Sequence, residues 1–119
     1  MSPKGSTPKP PVGVSAEHWS WIRDLFKREV FQGDPLKQKR RGAVTAFGSR
    51  VNGNFRSDSD LDLYIEIAPP LTGSELASLN EALEESFLPF KVDLIESARV
   101  SDDILQAIQA LPRIELIRQ

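Results

Sequence analysis

The stretch Gly48-Ser49-Arg50-Val51-Asn52-Gly53, followed by Ser59-Asp60-Leu61-Asp62-Leu63-Tyr64-Ile65-Glu66-Ile67, decides how this chain reads. From Asp60 to Ile67 the residues alternate without a break. Successive side chains of a strand point to opposite faces, which puts Asp60 and Asp62 side by side, about 7 Å apart. Leu61, Leu63, Ile65 and Ile67 then face a core. Two neighbouring carboxylates repel one another in water, and a divalent cation turns that repulsion into a binding site. Upstream, Gly48-Ser49 offers backbone N–H groups and a hydroxyl, a combination that suits a phosphate. A phosphate turn ahead of a carboxylate pair predicts metal-dependent chemistry on a nucleotide.

Working outward, Ala43–Phe47 is rich in β-forming residues and predicts a strand leading into the turn. Ser49–Asn52 predicts a short helical turn capped by Ser49, with Gly53 free to take the left-handed conformation that closes it. Thr72-Gly73-Ser74-Glu75 has the form of a capping box. Leu76, Leu79, Leu83 and Phe87 mark the core face of the helix that follows and ends before Pro89. Phe90–Ile95 predicts a third strand, with Val92 and Leu94 on one face and Lys91, Asp93 and Ile95 on the other. That strand is expected beside Asp60–Ile67, where Asp93 joins the pair. Three carboxylates on adjacent strands suffice for two Mg²⁺ ions, with phosphate oxygens and waters completing the shells.

The flanks are simpler. Ser15 caps a predicted helix of about fifteen residues whose stripe is Trp19, Ile22, Leu25, Phe26 and Val30. Gly33 and Asp34-Pro35 stop it. His18, the only histidine, is expected at the surface. Residues 1–14, with four prolines, predict a mobile arm, and 15–119 a single domain. Ser101 caps a last helix stopped by Pro112, and Ile114–Ile117 is an expected edge strand.

The chain has no cysteine, which excludes disulfides and thiolate metal sites. No apolar run approaches the length of a membrane span, so a cytoplasmic location is expected. The net charge of −2 is unevenly spread: residues 1–42 hold nine Lys/Arg against four Asp/Glu, and 43–119 hold six against thirteen. The basic run Lys37–Arg41 is read first as a solvated loop and only second as a polyanion contact. Direct nucleic-acid binding is not expected.

Gly48-Ser49, Gly53 and Ser59-Asp60-x-Asp62-Leu63 at this spacing resemble the signature of the polymerase-beta-like nucleotidyltransferase superfamily, and the short chain resembles its minimal (MNT) branch. The resemblance implies an α+β fold: a short mixed sheet with helices packed on one face and the site on the open face. It implies transfer of a nucleoside monophosphate from an NTP, foremost ATP, to a hydroxyl with release of pyrophosphate. Asp60, Asp62 and Asp93 would bind Mg²⁺ and carry the catalysis. Gly48, Ser49, Gly53 and Ser59 would form the nucleotide-binding turn, with Arg50 and Arg56 as phosphate contacts. Val51 and Asn52 depart from the small and basic residues common at those two positions.

Larger members of the superfamily hold the acceptor on a second domain, for which 119 residues leave no room. The run Leu88–Leu94 resembles the subgroup paired with a separately encoded HEPN-type four-helix protein, a toxin silenced by AMP attached to a tyrosine. An antitoxin role is therefore implied. The alternatives are transfer to a small molecule such as an aminoglycoside, and a non-catalytic binding module.

Overall fold

The computed structural model describes residues 9–32, 39–54, 56 and 58–119. Its centre is a four-stranded mixed sheet ordered β3-β2-β1-β4. The strands are β1 (Arg41–Phe47), β2 (Leu61–Ala68), β3 (Val92–Glu96) and β4 (Ile114–Arg118). β1 runs antiparallel to both β2 and β4, while β2 and β3 are parallel. Parallel neighbours need a crossover, and α3 (Gly73–Glu84) supplies it.

The alternation of β2 resolves as expected. Leu61, Leu63 and Ile65 are fully buried in the main core, with Ile67 beside them. Against that face lies α1 (Ala16–Phe26), started by the Ser15 hydroxyl, which accepts the His18 N–H at 3.0 Å. It runs on as a π-helical segment, Lys27–Gln32. Trp19, Ile22, Leu25, Phe26 and Val30 are all buried in the same core. The expected stop at Gly33 and Asp34-Pro35 lies outside the described residues. α3 opens with the full capping box: Thr72 Oγ1 accepts the Glu75 N–H at 3.1 Å, and Glu75 Oε1 accepts the Thr72 N–H at 2.9 Å.

β4 carries a bulge. Val44 pairs with Ile117 and Thr45 with Glu115, so Leu116 is the extra residue. That shift lets consecutive residues, Leu116 and Ile117, both be buried. The bulged carbonyl of Leu116 accepts from Arg23 Nε of α1 at 3.0 Å, which ties the irregular edge to the helix layer.

Four expectations change. First, α1 and α3 share one face, but α4 (Asp102–Gln109) docks on the other. There Leu105 and Ile108 cover Phe47, Tyr64 and Ile95, apolar groups left among the polar residues of the carboxylate face. Second, α3 ends at Glu84, so Phe87 falls beyond the helical face and is 56% exposed. Its ring lies against His18 at 5.2 Å and Trp21 at 5.4 Å, and His18 is accordingly half-buried among aromatics. Third, the end of the proline-rich arm belongs to the domain: Pro11 and Val14 are buried. Fourth, the third strand runs Val92–Glu96, two residues later at its start than the pattern predicts.

Within the basic run, Lys37 lies outside the described residues. Arg40 is structural: its guanidinium pairs with Glu75 on α3 and donates to the Pro69 carbonyl at 3.1 Å. It joins the lead into β1 to the crossover.

Candidate active site

Asp62 sits at the middle of the carboxylate cluster because of strand register. On one side it pairs with Phe47, the last residue of β1, and on the other with Asp93 of β3. Asp60 precedes β2 and lies two residues back on the same face. Asp60 and Asp93 are exposed, whereas Asp62 is half-buried. Burial, reinforced by the negative charges of Asp93 and then Asp60, pushes the Asp62 carboxyl up to about 6. Register and pleat thus bring the three acids to one face at the starts of β2 and β3.

Immediately after β1 the chain turns at Gly48, with φ 84 and ψ −156. A methyl group at this position would overlap Asp62 Oδ2. The backbone conformation requires glycine, and a side chain here would also displace the Asp62 carboxylate. Gly48, not Ser49, is the N-cap of α2 (Ser49–Asn52), and no side chain caps the turn. The Gly48 carbonyl accepts from Val51 N and Asn52 N, each at 2.9 Å. Ser49 is the first helical residue, half-buried and next to the cluster in the chain. Gly53 closes the turn in the left-handed region at φ 93, as expected.

Val51 and Asn52 have local roles. Val51 packs against the main core. Asn52 Oδ1 accepts the Asn54 N–H at 2.9 Å, an Asx turn that shapes the exit from α2.

The basic residues divide. Arg56 is at the surface, paired loosely with Asp58 at 3.7 Å, and its side chain is 82% exposed. Arg50 is 2% exposed. Its Nε donates to the Ser59 carbonyl and its NH1 to the Val12 carbonyl, both at 2.9 Å. The Arg50 side chain is thus turned into the fold, with Nε and NH1 held on backbone carbonyls. The Ser59 hydroxyl accepts the Arg56 N–H at 2.9 Å in the loop before β2 and keeps its own O–H donor.

Among the described residues, no three histidine, cysteine or acidic side chains close into a ready metal cage. The donor set still suits Mg²⁺, which takes one or two carboxylates and draws its other ligands from water and substrate phosphates. Asp62 fits that role: it is half-buried, crowded by like charge, and relieved by a cation.

A separate cavity of about 360 Å³ opens farther along the same face, lined by Thr45, Tyr64, Glu66, Arg113, Glu115 and Arg118 among others. Sequence reasoning missed it, along with the second small core around Tyr64. The one available signal was Tyr64 itself, an aromatic residue among the acids of β2.

A sequence model of the family described as "Polymerase beta, Nucleotidyltransferase" matches residues 36–113. A protein of Haemophilus influenzae named "Probable protein adenylyltransferase MntA" is 46% identical over 66 residues, covering 56% of this chain. The match spans 58% of that protein's length. Among solved structures, one described as "Crystal structure of the toxin-antitoxin with AMP-PNP" superposes with a TM-score of 0.66 at 21% identity. It covers 85% of this chain and 73% of its own, and supports the fold.

Proposed function

The chain belongs to the polymerase beta nucleotidyltransferase family, and on that premise we propose that it transfers AMP from ATP to a hydroxyl of a partner protein. The observation that carries this reading is the register of Asp62 beside Asp93, with Gly48 pressed against the same carboxylate. Asp60, Asp62 and Asp93 would hold Mg²⁺, most simply two ions, which neutralises the triphosphate and lowers the pKa of the acceptor hydroxyl. The remaining work is positioning. Gly48, Ser49 and the turn of α2 would take the triphosphate, with Arg56 approaching from the loop. Asp93, exposed at the sheet edge, would accept the proton of the incoming hydroxyl. The hydroxyl oxygen bonds to the α-phosphorus, the bond to the β-phosphate oxygen breaks, and pyrophosphate leaves.

The proposed acceptor is a tyrosine of a HEPN-type helical toxin, and the proposed role is that of an antitoxin in the cytoplasm. The similarity to the Haemophilus influenzae protein and to the toxin–antitoxin structure supports this. No described helix is long and apolar enough to cross a membrane.

The test is incubation with ATP labelled at the α-phosphate, Mg²⁺ and the product of the adjacent gene. Label should appear on that protein and be lost in Asp62→Asn. Label confined to small molecules would move the acceptor to a metabolite. No label with any of the four NTPs, from folded protein, would reject the activity. If Asp62→Asn still neutralises the partner, the chain acts by binding alone.

A further inference from the structure

Arg50 lies in α2, beside the carboxylate cluster, yet its side chain is directed inward. Three segments meet on it. Its Nε donates to the carbonyl of Ser59, the residue before Asp60. Its NH1 donates to the carbonyl of Val12, while its own carbonyl accepts the Val12 N–H at 2.7 Å. Both backbone polar groups of Val12 are therefore spent on this one residue. The guanidinium also lies 4.7 Å from the ring centre of Phe90, three residues before Asp93. Next to Phe90, the Lys91 carbonyl accepts the Leu61 N–H at 2.8 Å, which joins the starts of β2 and β3.

The Val12 side of this junction is itself anchored. Pro11 and Val14 are buried, and between them the chain makes a tight turn, the Val14 N–H donating to the Pro11 carbonyl at 3.1 Å with Gly13 at φ 76. Positive φ at the third position marks a type II turn. A planar fork with donors fixed on carbonyls from two different segments, and its ring-like plane over an aromatic, has no freedom to swing toward solvent.

We propose that the Pro11–Val14 turn and Arg50 form a strap that fixes the nucleotide turn relative to Asp60, Asp62 and Asp93, making Arg50 a positioning residue and not a phosphate ligand. The inference rests on the reading of α2 as the nucleotide turn. It extends the site to the proline-rich segment, which the reaction chemistry alone would leave out. A misplacement of about 1 Å between turn and carboxylates costs on the order of 100-fold in rate without removing any group that binds ATP.

The cleanest variant is Val12→Pro. Val12 is 47% exposed and occupies the second turn position, where proline is favoured, so the change keeps the turn while it removes the N–H donated to Arg50 and sets the proline ring against the Arg50 carbonyl, parting the two segments. In the protein without nucleotide, amide exchange at Val51 and Asn52 should quicken by about tenfold, because these amides close α2 onto Gly48. The kcat at saturating ATP should fall by roughly 30- to 100-fold, while the Kd for Mg²⁺·ATP by calorimetry changes by less than about threefold. Arg50→Lys keeps the charge but cannot reach both carbonyls, and should reproduce this pattern. The double variant should be no worse than the more severe single one.

Wild-type exchange and kcat in Val12→Pro would overturn the proposal. So would an Arg50→Lys protein with raised KM and unchanged kcat, the signature of a direct phosphate contact. If wild type fails to bind Mg²⁺·ATP but exchange still quickens in Val12→Pro, the strap stands and the nucleotidyltransferase reading falls.

Discussion

Two charge pairs brace the same sheet and are built in opposite ways. Arg40 and Glu75 are opposite charges, 11% and 20% exposed at the side chain, locked by two donors of one guanidinium. The hydrogen bonds from Arg40 hold Glu75 well below the usual carboxylate range, at about 2. Asp62 and Asp93 are like charges placed opposite one another by strand register, and burial together with that repulsion pushes Asp62 up to about 6. The first pair stabilises the fold as it stands. The second opposes it until something positive arrives. The difference separates a structural ion pair from a site that gives up stability in order to bind.

Breaking the second pair should have the largest effect. Asp62→Asn or Asp93→Asn should lower nucleotidyl transfer by at least about 10³-fold, because charge neutralisation is most of the catalysis in such chemistry. Single-turnover transfer from labelled ATP measures it. Gly48→Ala comes next. It strains a positive-φ residue and crowds Asp62 Oδ2 without altering any ionisable group. A loss of about 100-fold in kcat is expected.

Breaking the first pair should leave chemistry alone and cost stability. Arg40→Met should destabilise the domain by about 2 kcal/mol, between the values for exposed and fully buried pairs. Urea unfolding at pH 7 reads this directly. Since the folded pKa of Glu75 lies below its unfolded value of 4.5, the pair's contribution is complete above that value and is lost as pH falls through about 2. The gap between wild type and Arg40→Met should therefore narrow on acidification from pH 5 toward pH 2.

The legible parts of this molecule were the periodic ones. The alternation of β2, the glycine turn and the Thr72–Glu75 capping box are local rules, and each appears where the spacing put it. The pairing of Asp93 with Asp62 was also readable, because a third short strand with Asp93 on its polar face had few places to go. What stayed hidden depends on partners distant in sequence. Nothing near Arg50 announces Val12 or Phe90, so a buried strut and a phosphate ligand look alike in the sequence. α4 reads as amphipathic, but which face of the sheet it covers depends on the patch formed by Phe47, Tyr64 and Ile95. Phe87 had helical spacing, and only the early end of α3 moved it to the surface.

A smaller effect sharpens the contrast. The folded pKa of Asp62 is raised, so protonation favours the folded state, and stability falls as pH rises through about 6. Without divalent cations, Asp62→Asn should melt a few degrees above wild type at pH 7.5, a gain of about 1 kcal/mol once solvent screening is allowed for. The gap should narrow as pH falls from about 6 and close only below the unfolded value of 3.8, where the carboxyl is protonated in both states.

The central claim is that Asp62 and its neighbours are a cation site completed by nucleotide. Thermal unfolding at pH 7.5 tests it most directly, comparing wild type with Asp62→Asn as Mg²⁺ is titrated in the presence of ATP. Binding to the folded state alone raises the melting temperature by mass action. Wild type should gain several degrees, with the full shift requiring both Mg²⁺ and ATP, and Asp62→Asn should gain less than a third as much. Equal shifts in the two proteins would mean that the carboxylates are only a solvated strand face, and would contradict the account.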